Sequence, residues 1–144
     1  MLETLKFDLA AEVLMAFGEV RLPVTGSSMF PSLRPGDLLE IRVPVPAIEP
    51  GEVVVFEHHS RLVAHRVVHR AGDVFITRGD RLGYEDLPIS ADEVWGRVTA
   101  IERGGRLRSP RLTGVDRLFS ALLRHTEVGT RAALYFSRII RYCR

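Results

Sequence analysis

The sequence predicts a mainly β fold: a compact antiparallel sheet or partly closed barrel, with an amphipathic helix before it and helices after it. Three observations carry this reading. Leu2, Leu5, Leu9, Val13 and Ala16–Phe17 recur at helical spacing over residues 2 to about 18. From Val20 to about Ile101 the texture changes to short β-branched runs punctuated by Pro and Gly, the pattern of many short strands in one sheet. Beyond Gly104–Gly105 the helical spacing returns.

The chain has 144 residues, 46% hydrophobic and 26% charged, the balance of a folded protein with one real core. The expected organisation is an N-terminal helix over 1–19, a β-rich domain over 20–103 and an Arg-rich helical extension over 104–144. Cys143 is the one cysteine, which excludes an intramolecular disulfide and a cysteine metal cage and suits a reducing compartment.

Each element has its own signal. The first helix has charges between its apolar positions and Gly18 as its stop. Its apolar stripe is expected to pack on the parent domain. The strands fall at Leu38–Val43, Val53–Glu57, Arg61–His69, Asp73–Arg78 and Glu93–Glu102, with turns at Arg34–Asp37, Pro44–Gly51, His58–Ser60 and Arg70–Gly72. Pro44, Pro46 and Pro50 keep their segment out of a central strand, and Ala71–Gly72 between two strand-like runs reads as a hairpin. At the C-terminus one helical stripe runs through Leu112, Val115, Leu118–Phe119 and Leu122. After Gly129 a second runs through Ala132–Ala133, Phe136 and Ile139–Ile140.

The formal charge of +2 decides little, but its distribution is uneven. From residue 97 onward Arg97, Arg103, Arg106, Arg108, Arg111, Arg117, Arg124, Arg131, Arg138, Arg141 and Arg144 face only Glu102, Asp116 and Glu127. This tail is either a solvated helix face or an attractor for an anionic membrane surface or nucleic acid, nucleic acid being the less expected of the two, and residues 112–140 also suit self-association. No run approaches the roughly 18 apolar residues of a membrane span. Glu3, Lys6, Asp8 and Glu12 interrupt anything resembling a secretory leader. The expected location is cytoplasmic or peripheral to a membrane.

Three segments carry groups that can do chemistry. In Gly26-Ser27-Ser28-Met29-Phe30-Pro31 a serine follows a glycine just ahead of the first assigned strand, where a tight turn can expose a hydroxyl and aim backbone N–H groups at an oxyanion. Ser27, Met29 and Pro31 are the candidate oxyanion and substrate contacts around it. Val63-Ala64-His65-Arg66-Val67-Val68-His69 places histidines inside an apolar strand. A period of two puts His65 with Val63, Val67 and His69, and Arg66 with Val68 opposite. Thr77-Arg78-Gly79-Asp80-Arg81 runs on through an acidic loop to Asp86. Ser, His and Asp together supply a nucleophile, its base and a carboxylate that orients the base.

These residues stand in a pattern. Ser28-Met29-x-Pro31-x-Leu33-x-x-Gly36-Asp37 resembles the nucleophile box of signal peptidase I and LexA-like serine peptidases, and Gly51-Glu52-Val53-Val54 resembles the strand that follows it there. His65-Arg66-Val67 is similar to the general-base box of the endoplasmic-reticulum, archaeal and sporulation-type branch, which has His where bacterial leader peptidases have Lys. Thr77-Arg78-Gly79-Asp80 with Asp86, and Val94-Trp95-Gly96-Arg97-Val98, resemble that branch's last two boxes. The resemblance spans roughly residues 24 to 102. It implies a signal-peptidase/LexA-type β fold and a serine endopeptidase that cleaves a peptide or protein precursor bound in extended form. It implies Ser28 as nucleophile, His65 as base, and either Asp86 or Asp80 as the third member. An imidazole suits the role at neutral pH, and no cofactor or metal is implied.

The sequence departs from the pattern in three ways. The membrane anchor that signal peptidases carry before the nucleophile box is replaced by the helix at 2–18. The 27 residues before Ser28 hold no Ala-Gly or Cys-Gly cleavage dipeptide of the LexA kind. Arg81 stands where the family usually has Asn, so it either holds the neighbouring carboxylate ionised or occupies it. The competing reading is a non-catalytic binding module on a peptidase-like scaffold, using the Arg-rich tail to bind a partner, a membrane surface or nucleic acid. His58, His59 and His69 read as surface or core, and Asp37 as a structural turn residue.

Overall fold

The computed structural model describes residues 2–43 and 47–125. Helix α1 (Leu2–Phe17) is followed by β1 (Glu19–Pro23), β2 (Leu38–Arg42), β3 (Val53–His58), β4 (Arg61–Ala71), β5 (Val74–Arg78) and β6 (Ile89–Ser90). A single 3-10 turn leads into β7 (Val94–Arg103), then β8 (Arg106–Arg108) and α2 (Gly114–His125). The strands form one antiparallel sheet in the order β1-β2-β7-β3-β4-β5-β6. β8 pairs with the far end of β7. The mainly β expectation holds, and the sheet is open rather than closed.

Helix α1 ends where Gly18 takes φ +73° and its N–H reaches the Leu14 carbonyl at 2.9 Å, a left-handed cap that glycine adopts without strain. The stripe expected to pack on the domain is not the face that packs. Leu5, Leu9 and Phe17 are exposed, while Ala10 and Leu14 are buried and Phe7 packs against Trp95 with the rings tilted by 59° and their centroids 4.5 Å apart. The helix is apolar on most sides, so its periodicity does not single out one face.

Two apolar clusters occupy the two faces of the sheet's centre. Leu14, Met29, Leu33, Leu39, Ile41, Val53, Val55, Val98 and Ile101 make one; Ile48, Val54, Phe56, Val67, Phe75 and Ile89 make the other. Consecutive residues of β3 alternate between them, which is why Val53–Phe56 reads as an uninterrupted apolar run. The Asp37 carboxylate, buried in the turn before β2, takes the Arg103 guanidinium at 2.8 and 2.6 Å and the Arg34 N–H at 2.8 Å. Burial alone pushes this carboxyl up; the Arg103 and Arg34 hydrogen bonds and their charges outweigh it and hold the group below the usual carboxylate range.

Three strands lie outside the sequence expectation: β1, β6 and β8. Gly104–Gly105 is the turn of the β7–β8 hairpin, with φ of +56° and +73°, and helix resumes only at Gly114, which leaves Leu112 outside it. The second helical stripe, Gly129 to Ile140, and Cys143, Pro44 and Pro46 lie outside the described residues.

Candidate active site

Ser28 opens a single turn after the extended segment that leaves β1. The Phe30 N–H bonds back to the Ser27 carbonyl at 3.1 Å and the Leu33 N–H to the Met29 carbonyl at 3.0 Å. The turn is anchored because Met29 and Leu33 are buried in the first apolar cluster, which leaves the Ser28 side chain half-buried at its surface. His65 lies in the middle of β4, paired with Val54 of β3, nearly buried, its ring edge-on to Phe56 at 6.1 Å.

Asp86 comes from the loop after β5. That loop leaves Thr77 and returns to it: the Asp86 N–H bonds to the Thr77 carbonyl at 2.8 Å, and the Thr77 hydroxyl donates to Asp86 Oδ2 at 2.7 Å. The same Oδ2 lies 2.6 Å from His65 Nδ1, and His65 Nε2 lies 3.0 Å from Ser28 Oγ. A carboxylate accepts only, so Nδ1 is the donor to it, and in the neutral imidazole with that tautomer Nε2 is the acceptor for the serine hydroxyl.

The loop is also fastened to the serine turn. Gly79 crosses so close to Ser28 that a Cβ there would stand 2.6 Å from the Ser28 carbonyl oxygen. That carbonyl accepts the Arg81 N–H at 3.0 Å, and the Asp80 N–H points at the Met29 sulfur at 3.4 Å. Serine turn and carboxylate loop are therefore one bonded unit, with β4 supplying the imidazole between them.

The two candidate carboxylates separate completely. Asp80 is buried and held by Arg66 through Nε to Oδ1 and Nη2 to Oδ2, each at 2.8 Å, and it also accepts from the Ser32 hydroxyl. Arg66 spends its remaining reach on the Gly51 and Pro110 carbonyls at 2.7 and 3.0 Å. Asp80 fixes the loop, and Asp86 faces His65. Arg81 occupies neither carboxylate; its guanidinium donates to Ser27 Oγ at 3.2 Å. Ser27 is exposed beside Ser28, and Met29 forms part of the floor of an apolar cleft of about 260 Å3 that opens at Ser28 between residues 22–26 and 61–64. Pro31 is buried and lines a different cleft, on the far side of the turn, so it does not join the others.

His69 does not share the face of His65 as a strict period of two requires. The β4–β5 register runs from Val67↔Thr77 to His69↔Ile76. The bulge at Val68 turns His69 outward to Glu85 at 3.0 Å. His58 and His59 meet edge-on at the β3–β4 turn, ring centroids 4.0 Å apart. Among the described residues no group of three or more His, Cys, Asp or Glu side chains is placed to hold a metal ion. Sequence reasoning assigned no function to Thr77 or Ser32. A Thr nine positions before an Asp carries no local signal, because only the return of the loop brings them together.

An open antiparallel sheet with a serine, a histidine and a carboxylate in hydrogen-bonded series is a fold of the serine-peptidase type. The Peptidase S24-like family model matches residues 6–99, from α1 into β7, and the chain belongs to this family. None of the curated proteins compared with the chain matches it. No helix among the described residues is long and apolar enough to cross a membrane.

Proposed function

We propose that the protein is a serine endopeptidase that cleaves a peptide or protein precursor, with Ser28 as nucleophile, His65 as general base and Asp86 as the carboxylate that orients it. The observation that carries this reading is the unbroken series Ser28 Oγ, His65 Nε2, His65 Nδ1, Asp86 Oδ2, at 3.0 and 2.6 Å, within the reach proton transfer needs.

In this reading the Ser28 hydroxyl attacks the scissile carbonyl as Nε2 takes its proton. Asp86, steadied by Thr77, stabilises the imidazolium that forms. The backbone N–H of Ser28, which meets no acceptor among the described residues, donates to the tetrahedral oxyanion. The imidazolium then protonates the leaving amine. Water, deprotonated by the same imidazole, releases the acyl group from Ser28. The substrate lies extended in the apolar cleft between residues 22–26 and 61–64, its side chains against Leu22, Val24, Leu62 and Ala64.

Incubating the full chain with a defined mixture of unstructured peptides and identifying new termini by mass spectrometry tests this. The wild type produces new termini that are absent with Ser28→Ala and with His65→Ala. Equal cleavage by Ser28→Ala overturns the proposal.

A further inference from the structure

Helix α2 is mounted with its apolar side outward. Val115, Leu118, Phe119 and Leu122 fall on one face at i, i+3, i+4 and i+7, and that face is exposed, Val115 at 78% and Leu118 at 66%. The opposite side, turned to the domain, is largely polar. Ser120 is fully buried, and its hydroxyl has no hydrogen-bond partner among the described residues. Asp116 and Arg124 are half-buried, with Arg124 in electrostatic reach of Arg78 and Asp80. An amphipathic helix that packs by its polar face is oriented for an apolar environment on its other side.

What lies around this face gives the charge of the partner. Arg34, Arg108 and Arg111 line a cleft of about 360 Å3 at the start of α2, and Arg117 stands with Arg111 on the next cleft. All four are exposed. The guanidiniums of Arg34, Arg108, Arg111 and Arg117 form no ion pair among the described residues. The carboxylate of the larger cleft, Asp116, is already engaged by Thr113 in the helix cap at 2.6 Å. Cations and apolar face adjoin: the Arg34 guanidinium sits over the Phe30 ring at 5.7 Å, and that ring meets Phe119 edge-on at 6.4 Å.

We propose that this surface docks on an anionic phospholipid bilayer, with Val115, Leu118, Phe119 and Leu122 in the acyl boundary and Arg34, Arg108, Arg111 and Arg117 on the lipid phosphates. Charge decides among the occupants. A second copy meeting this face through a two-fold axis brings the same arginines together. Residues 126–144 carry Arg131, Arg138, Arg141 and Arg144 against Glu127, and also meet like with like. An anionic interface complements both the cations and the apolar stripe.

Co-sedimentation of the full chain with vesicles tests this independently of any peptidase activity, since none of Ser28, His65 and Asp86 belongs to the surface. The probes are phosphatidylcholine alone and phosphatidylcholine with about a third phosphatidylglycerol. The expected result is binding to the mixed vesicles only, little affected by millimolar free phosphate. Binding weakens roughly a hundredfold in Arg34→Gln/Arg108→Gln/Arg111→Gln and is also lost in Leu118→Glu, an exposed position whose substitution leaves the circular dichroism unchanged. Absence of binding to the mixed vesicles overturns the proposal, as does binding that both variants retain. So does a concentration-dependent dimer, broken by Leu118→Glu, in place of vesicle binding. Full competition by free phosphate reassigns the arginines to a soluble anion and equally overturns it.

Discussion

Arg66 Nε and Nη2 close on the two oxygens of the Asp80 carboxylate, each at 2.8 Å, and the pair is almost fully buried. This contact divides the labour between two acidic residues that stand six positions apart on the same loop. Asp80 satisfies a buried cation and the Ser32 hydroxyl, while Asp86 is left to His65 and Thr77.

The two carboxylates therefore answer differently to the same substitution. Asp80→Asn leaves the Arg66 charge buried and poorly paired, and costs about 3 kcal/mol, or roughly 10 °C in Tm. Its kcat at a temperature where it is folded stays near wild type. Asp86→Asn changes Tm by much less and lowers kcat about ten-thousandfold, because the imidazole loses the partner that fixes its tautomer. Thermal melts and single-turnover kinetics on both variants check this; a large kcat loss in Asp80→Asn with an unchanged Tm contradicts it.

Gly79 is a positional requirement of the site. Its missing side chain lets the loop pass the Ser28 carbonyl, and an added Cβ would meet backbone oxygen at 2.6 Å and Leu82 at 2.9 Å. Gly79→Ala has to push the loop off the serine turn, and a displacement of about 1 Å costs about a hundredfold in rate. The overpacking cost in stability stays near 1–3 kcal/mol. Measuring kcat and Tm together separates the two effects, and a wild-type kcat in Gly79→Ala shows that the crossing does not position Ser28.

Asp37 sets part of the acid limit of stability. Its carboxyl is held below the ordinary range in the folded protein, first against burial and then by Arg103 and Arg34. Its contribution is fully present above the ordinary carboxylate value of about 4 and is lost as pH falls through the depressed folded value. Asp37→Asn is therefore less stable at neutral pH by about 2 kcal/mol, and the gap to wild type closes below about pH 4. Urea midpoints of both proteins from neutral to acid pH check the sign; a gap that widens on acidification is the opposite result.

Much of this architecture is legible in the residues. The helix stop at Gly18 and the cores of five strands follow from glycine placement and β-branched runs. What escapes is physically different. β1 only half-buries alternate residues at a sheet edge and ends in Pro23, β6 is two residues long, and β8 is Arg-Leu-Arg. None has an apolar run to betray it. The exposed side of α1 and the bulge that turns His69 away are set by what packs nearby rather than by spacing. In the site, the order of Ser28, His65 and the acidic loop is visible along the chain, yet the choice between Asp80 and Asp86 is not. That choice depends on Arg66, on the opposite face of β4 from His65, and on a loop that returns to Thr77.

The central claim is that Ser28 is an activated nucleophile. Intact-mass analysis after treatment with a serine-reactive phosphonate reads this directly. A single adduct is expected on wild type, mapped to Ser28, absent in Ser28→Ala and formed at least about a hundredfold more slowly in His65→Ala. No adduct on the folded wild type, or one of undiminished yield in Ser28→Ala, contradicts the account.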